Sequence, residues 1–326
     1  MTVTGGDSVT GGETWRPGRR GEEPLVDEAT FRSYYGLPVI KQPVWEAADI
    51  AGYLFLGGLA GASSVIGAAA HATNRPSLAR ALKVTSTAAI GLSGVALVHD
   101  LGRPARFINM LRVFKPTSPM SVGSWLLATY APMSVAASFS AVTRRGRTAG
   151  SLGTAGAAVL GCGVATYTAA LVSNTSVPAW HDAYREMPFV FAASATSAAA
   201  GAGLMASALD ETAPVKRLGI AAGAAELALM KLMKKRMGLA AEVYTESNTA
   251  HRYERAAQLA TGAGIAGAVL LGGRSRLGLA LAGAGLVLGS AFTRFAIFEA
   301  GVASAQNPRY TIEPQRTRKA ARPAAR

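Results

Sequence analysis

The chain has 326 residues, half of them hydrophobic and only 16% charged, yet its formal net charge is +14. Apolar runs of about 20 residues recur along most of its length, enough to cross a bilayer core, and its 37 glycines suit helices that pack closely in lipid. An ordinary soluble domain is excluded, and because the cations lie between the apolar runs, a membrane surface and an acidic partner explain them better than nucleic acid.

The expected fold is an all-α integral membrane protein, a bundle of eight transmembrane helices with both termini on the same side. Residues 1–32 read as a disordered tail: Met1 to Glu28 is polar and Gly-rich, with no secretory signal. Residues 33–305 form the transmembrane domain. In its lead-in, Tyr34, Tyr35 and Trp45 suit an interfacial belt.

The first span runs from about Ala47 to His71, with Gly57, Gly58 and Gly61 as a face for a close helix neighbour. At its opening Glu46, Asp49 and Tyr53 follow helical spacing and share a face. The second span, about Leu78 to Val98, delivers His99 and Asp100. The third is about Val122 to Val142 and closes on the basic turn Arg144, Arg145, Arg147. The fourth, about Leu152 to Ser173, carries Tyr167 near its end and Cys162 within it. That cysteine is the only one in the chain, so no intrachain disulfide, cysteine-bound cluster or structural zinc site is available, and it reads as a packing residue.

A polar loop with Trp180, His181, Asp182 and Arg185 leads to the fifth span, about Pro188 to Leu209. The sixth, about Pro214 to Gly238, embeds Glu226 and trails Lys231, Lys234, Lys235 and Arg236. The seventh and eighth are about Ala256 to Gly272 and Leu277 to Ala300, with Glu299 at the end. Residues 306–326 form a basic C-terminal tail along a partner or the membrane surface.

The stretch from Leu97 to Trp125 is unusual for a membrane loop. It crowds His99, Asp100, Arg103, Arg106, Arg112 and Lys115 between two spans, and Pro104, Pro116 and Pro119 favour a defined, non-helical course. Ionisable groups in or beside spans are functional candidates by default. Quinone chemistry needs a carboxyl, imidazole or phenol within reach of each oxygen. Asp49, Tyr53, His99, Asp100, Arg103 and Tyr167 are therefore candidate quinone-binding residues, brought from several span ends to one side.

Other readings stay open for these residues. Asp49 also suits a helix start, where the macrodipole favours an acid, and the tyrosines suit an interface. His99 and Asp100 also suit a helix stop paired with Arg103. Glu46, Glu226 and Glu299 are candidate proton-relay groups, although Glu226 also suits a pair with Lys231, and Glu299 one with Arg294. Arg106, Arg112, Lys115, His181 and Arg185 are candidate partner-docking residues. The histidines, His71, His99, His181 and His251, lie at span edges or in loops and form no facing pairs within spans, so haem is not expected. No motif for a bound metal or nucleotide stands out.

Several blocks together resemble the NrfD/polysulfide-reductase membrane-anchor family. They are YYGLPVIKQPVW, YLFLGGLAGAS, LVHDLGRPARFINMLRVFKPTSPMSVGSW, YTAALVSNTSVPAW with HDAYREMPFVF, and FEAGVASAQNPRYTIEPQR. The resemblance runs from about Ser33 to Arg316. It implies an eight-helix subunit without haem or iron–sulfur cluster, docked to a four-cluster ferredoxin-like iron–sulfur subunit that exchanges electrons with a molybdopterin catalytic subunit. It also implies an exchangeable quinone, menaquinone or another, near the iron–sulfur face. That site is built by the start of the first span and the end of the fourth, which points to Asp49, Tyr53 and Tyr167. A polysulfide-reductase-like member has Asn and His where Asp49 and Tyr53 align.

The expected function is thus a quinone-interacting membrane subunit of a molybdoenzyme complex, formate dehydrogenase-like or polysulfide reductase-like. It would not be catalytic alone, and it would sit in the cell membrane. The cation distribution favours cytoplasmic termini, whereas some relatives face their catalytic partners outward. The alternatives are a purely structural anchor for the redox subunits and a proton-translocating subunit.

Overall fold

Five helices open on a proline at their first positions, where its missing N–H has no intrahelical partner and its fixed φ already suits a helix. The computed structural model describes residues 39–43, 45–101, 105–271 and 275–320. The expected N-terminal tail, Tyr34, Tyr35 and Arg103 lie outside the described residues.

In chain order the helices are α1 (Ala47–Ala72), α2 (Pro76–Asp100), α3 (Ala105–Met110), α4 (Pro119–Thr143), α5 (Arg147–Ser173), α6 (Pro178–His181) and α7 (Met187–Ala206). Then come α8 (Ala213–Met237), α9 (Val243–Glu246), α10 (Asn248–Leu270), α11 (Arg276–Gln306) and α12 (Arg309–Ala320). Short 3₁₀ turns at Leu209–Glu211 and Gly238–Glu242 flank α8. Among the described residues six helices, α1, α2, α4, α5, α7 and α11, are long and apolar enough to cross a membrane. α8 and α10 are as long but more charged, with Lys216, Arg217, Glu226 and Lys231 on one and Arg252, Glu254 and Arg255 on the other.

The boundaries depart from the sequence reading in three places. Pro119 does not extend the loop before α4; it is the first residue of α4, behind the N-cap Ser118, whose Oγ accepts from Ser121 N–H at 3.4 Å. His99 and Asp100 belong to the last turn of α2, and α3 interrupts the supposed non-helical course. α10 begins eight residues before the expected Ala256, at the N-cap Ser247. Its first two turns are polar, so hydropathy gave no sign of them.

The core has two parts. α1 is its hub, packing against α2, α5, α7 and α11. α1 and α5 cross with their backbones nearly touching: a Cβ on Gly61 would lie 2.4 Å from the Gly161 carbonyl oxygen, and one on Gly161 2.6 Å from that of Gly61. Side chains are absent at this crossing because none would fit. Above it, Tyr130 of α4 donates to the Ala60 carbonyl at 2.6 Å and joins Ser64, Ser86 and Ser134 in a buried hydroxyl network that ties α1, α2 and α4 together. Such hydroxyls satisfy one another where water does not reach. In the second part, α7 and α11 meet at Gly201 and Gly283, and α10 and α11 at Gly264, Gly285 and Gly289.

Trp180 of α6 is keyed into α11. Its indole N–H donates to the Ile297 carbonyl at 2.8 Å, and its ring fills the space left by Gly301, where a Cβ would lie 1.9 Å from it. Trp45 stacks on it from the lead-in, with centroids 5.8 Å apart. Cys162 is exposed on α5, not a packing residue: its neighbour Gly161 takes the buried face, and one residue further is about 100° round the helix.

Candidate functional site

The site is built on the first two turns of α1. Asp49 and Tyr53 are four residues apart and so lie on one face, and each meets a side chain from another helix. The Asp49 carboxylate accepts from His99 Nδ1 at 2.6 Å, which joins the start of α1 to the end of α2. The Tyr53 hydroxyl is hydrogen-bonded to that of Tyr167, which joins α1 to the end of α5. One turn outward, Asp100 at the end of α2 comes near Glu46 at the start of α1.

This places together Asp49, Tyr53, His99, Asp100 and Tyr167 of the expected quinone-binding set. His99 is exposed and Tyr53 is 4% exposed, so the group grades from an open imidazole to a sealed phenol within one helical turn. With Nδ1 engaged by Asp49, the second ring nitrogen of His99 remains to exchange a proton. In the tyrosine pair one hydroxyl donates and the other accepts, so one O–H is left for a further acceptor.

The geometry depends on Gly61, which the sequence reading placed on a face for a close helix neighbour, and on Gly161 and Gly123, which it did not single out. The Gly61–Gly161 crossing sets α5 against α1 so that Tyr167, six residues past Gly161, comes level with Tyr53, eight residues before Gly61. Gly123, in the first turns of α4, leaves room for the Tyr167 ring, since a Cβ there would lie 2.4 Å from Cε2. The only hint of it is the small-residue run SVGS in the Leu97–Trp125 stretch.

The candidate docking residues lie at the same end. Arg106, Arg112 and Lys115 are exposed, beside exposed Ile108, Val113 and Phe114. Ser121 Oγ ties the connection down, donating to the Val113 carbonyl at 2.9 Å and accepting from Lys115 N–H at 3.0 Å. His181 stacks on Tyr184, and Arg185 donates to the Tyr184 hydroxyl at 2.7 Å. Burial pushes the Asp182 carboxyl up, opposed by the charges of His181 and Arg318. Nearby, Arg236 pairs with buried Glu186 at 2.6 Å, and Arg309 at the start of α12 pairs with Glu242 and Glu246 at 2.9 and 3.1 Å. The start of the expected C-terminal tail is therefore helical and pinned to the chain itself.

The other relay candidates are elsewhere. Glu226 is buried and accepts from the Thr293 hydroxyl at 2.7 Å, while its second oxygen has no hydrogen-bond partner. Its neighbouring cation is not Lys231, which is exposed; five residues along a helix is about 140° round, on another face. The charge acting on it is that of Arg294, fully buried on α11. Arg294 donates to the Phe191 carbonyl at 2.9 Å, and its guanidinium lies 3.7 Å over the Phe191 ring. Arg294 is likewise no partner for Glu299, five residues on and half-buried, which has no ion pair among the described residues. A cavity of about 20 Å³ lies beside Glu226, also lined by Lys231, Glu254, Gln258 and Thr293. Among the described residues no group of three or more His, Cys, Asp or Glu side chains is placed to hold a metal ion.

Compared with known proteins, residues 39–233 match the family described as Polysulphide reductase, NrfD. No curated protein matches the chain. The matched stretch contains the α1, α2 and α5 residues of the site.

Proposed function

Since the chain belongs to the NrfD family, membrane subunits of polysulfide reductase-like complexes, we propose that it is the quinone-reactive subunit of a molybdopterin oxidoreductase, formate dehydrogenase-like or polysulfide reductase-like. In this reading all eight long helices cross the membrane and both termini lie on the side of the Asp49 cluster, which the cation distribution makes cytoplasmic. A ferredoxin-like iron–sulfur subunit docks there on Arg106, Arg112, Lys115, His181 and Arg185, and relays electrons between the catalytic subunit and menaquinone or another quinone.

The observation that carries the reading is the meeting of Asp49, Tyr53, His99 and Tyr167, from three helices, as two hydrogen-bonded pairs one turn apart. Reduction of a quinone takes two electrons and two protons. The free O–H of the tyrosine pair donates a hydrogen bond to one carbonyl oxygen and passes its proton to it as the electrons arrive, the phenol regaining a proton from water through the half-buried Tyr167. The His99–Asp49 pair delivers a proton to the other, and the exposed imidazole takes a replacement from water. The bond to Asp49 ties the end of α2 to the start of α1, so His99 keeps its place.

The test is binding of a quinone-site inhibitor to the complex purified with its native partners, by calorimetry. Asp49→Ala and Tyr53→Phe are expected to weaken it, by about 10- to 100-fold for the charged bond and up to about tenfold for the phenol. Unchanged affinity in both variants overturns this site, and normal assembly without quinone-dependent turnover leaves a purely structural anchor as the function.

A further inference from the structure

At the opposite end of α1 is a feature the quinone reading does not use. A cavity of about 740 Å³ opens where α1 and α4 end and α2 and α5 begin, and it is lined by His71, Arg80, Lys83, Arg144 and Arg147, with no carboxylate in its wall among the described residues. From Asp49 to His71 is about 33 Å along the helix, so this basin is remote from the tyrosine pair. We propose that it binds the phosphate head of an anionic membrane lipid.

Lys83 supplies the strongest argument. It is only 7% exposed and lies about 10 Å along α2 from Pro76, within a helix apolar enough to span a membrane, yet it has no hydrogen bond or ion pair among the described residues. A cation so placed is costly unless an anion faces it. Arg80, three residues before it, shares its face of α2. From across the cavity come Arg144 and Arg147, on either side of the turn between α4 and α5, where Arg144 takes a left-handed φ of 59°. Glu211 is spoken for, accepting from the Ser77 and Leu78 N–H groups at 3.2 and 2.8 Å.

Exposed apolar side chains next in sequence to the lining residues favour a lipid over a soluble anion. Val84, next to Lys83, and Phe139 and Val142, which bracket the lining residues Ser140 and Ala141, are all exposed large hydrophobics. A headgroup seated among the cations would lay its acyl chains on that surface. Basic pockets between membrane helices bind acidic phospholipid heads in this manner.

The full-length chain in non-ionic detergent would be titrated with phosphatidylglycerol, phosphatidylcholine and inorganic phosphate, with retained ligand counted by native mass spectrometry. Phosphatidylglycerol is expected to bind and phosphatidylcholine not. Lys83→Met should weaken binding about fivefold, and Arg144→Asn with Arg147→Gln about twenty-five-fold, from roughly fivefold per cation. The double variant lies in an exposed turn and asparagine tolerates the left-handed position, so it decides the matter even if Lys83→Met does not fold. Equal retention of the two lipids, unchanged affinity in the folded variants, or inorganic phosphate held as tightly as the lipid would each overturn the proposal.

Discussion

Between Tyr53 and Tyr167 a single hydrogen bond joins two hydroxyls, so the two residues act as a unit. Removing either hydroxyl takes away the bond and leaves the other phenol able to turn. Tyr53→Phe and Tyr167→Phe are therefore expected to weaken an inhibitor by similar amounts, up to about tenfold each. The double variant should fall well short of the product, because partners in direct contact are not additive. A calorimetric double-mutant cycle on the assembled complex measures this, and strict additivity would mean that the phenols meet the ligand independently. Gly123→Ala tests the packing behind Tyr167: its Cβ would drive into the ring, so it should weaken inhibitor binding with both phenols intact. The helical spacing of Asp49 and Tyr53 was legible in the sequence, since four residues apart on a helix fixes a shared face. Their partners were legible only as span ends on one side. Nothing in the local pattern shows that His99 reaches Asp49, or that Tyr167 and Gly123 fit each other, because those contacts depend on how separate helices cross.

Helix crossings decide the next scale. Of the glycines in the first span, Gly57 has only Ser93 Oγ near its empty Cβ position, at 3.7 Å, whereas Gly61 abuts the backbone of α5. A run of small residues in sequence shows that a close approach is allowed without showing which residue makes it, and the answering Gly161 carries no signal of its own. Gly61→Val should push α5 away from α1, costing about 1–3 kcal/mol as overpacking does, and should separate Tyr53 from Tyr167. A lowered melting temperature together with lost inhibitor binding is the expected result. Gly91→Ala on α2 is the control, since its Cβ meets nothing within 4 Å, and both measurements should hold. Helix boundaries divide in the same manner. Long apolar spans were legible from hydropathy alone. The first turns of α10, polar from Asn248 to Arg255, were not, because their stabilisation comes from the Ser247 cap and from packing against α11.

At the scale of the bundle, the charged side chains among the described residues are concentrated toward its two ends, and Glu226 and Arg294 stand out as buried charged groups in its interior. Arg294 spends one guanidinium nitrogen on the Phe191 carbonyl and leaves Nε and Nη1 without partners, as Glu226 leaves Oε2. Interior groups left short of hydrogen bonds in this way are retained at a cost, and mark a candidate path for protons. The cavity beside Glu226 is about the size of one water and reaches Glu254, which Lys234 and Gln258 also contact near the start of α10. A route from Glu226 through that cavity to Glu254 would run toward the end that holds the quinone-site candidates, and would couple proton movement to turnover. Glu226→Gln keeps an acceptor for the Thr293 hydroxyl and so should preserve the fold, while removing the exchangeable carboxyl proton. In vesicles carrying the assembled complex, the variant is expected to bind the quinone-site inhibitor with unchanged affinity and to lose at least tenfold of turnover-linked proton release. If release is unaltered, Glu226 only balances the charge of Arg294; in that case Arg294→Met should recover stability lost by Glu226→Ala, since an uncompensated buried cation would have been removed along with its partner.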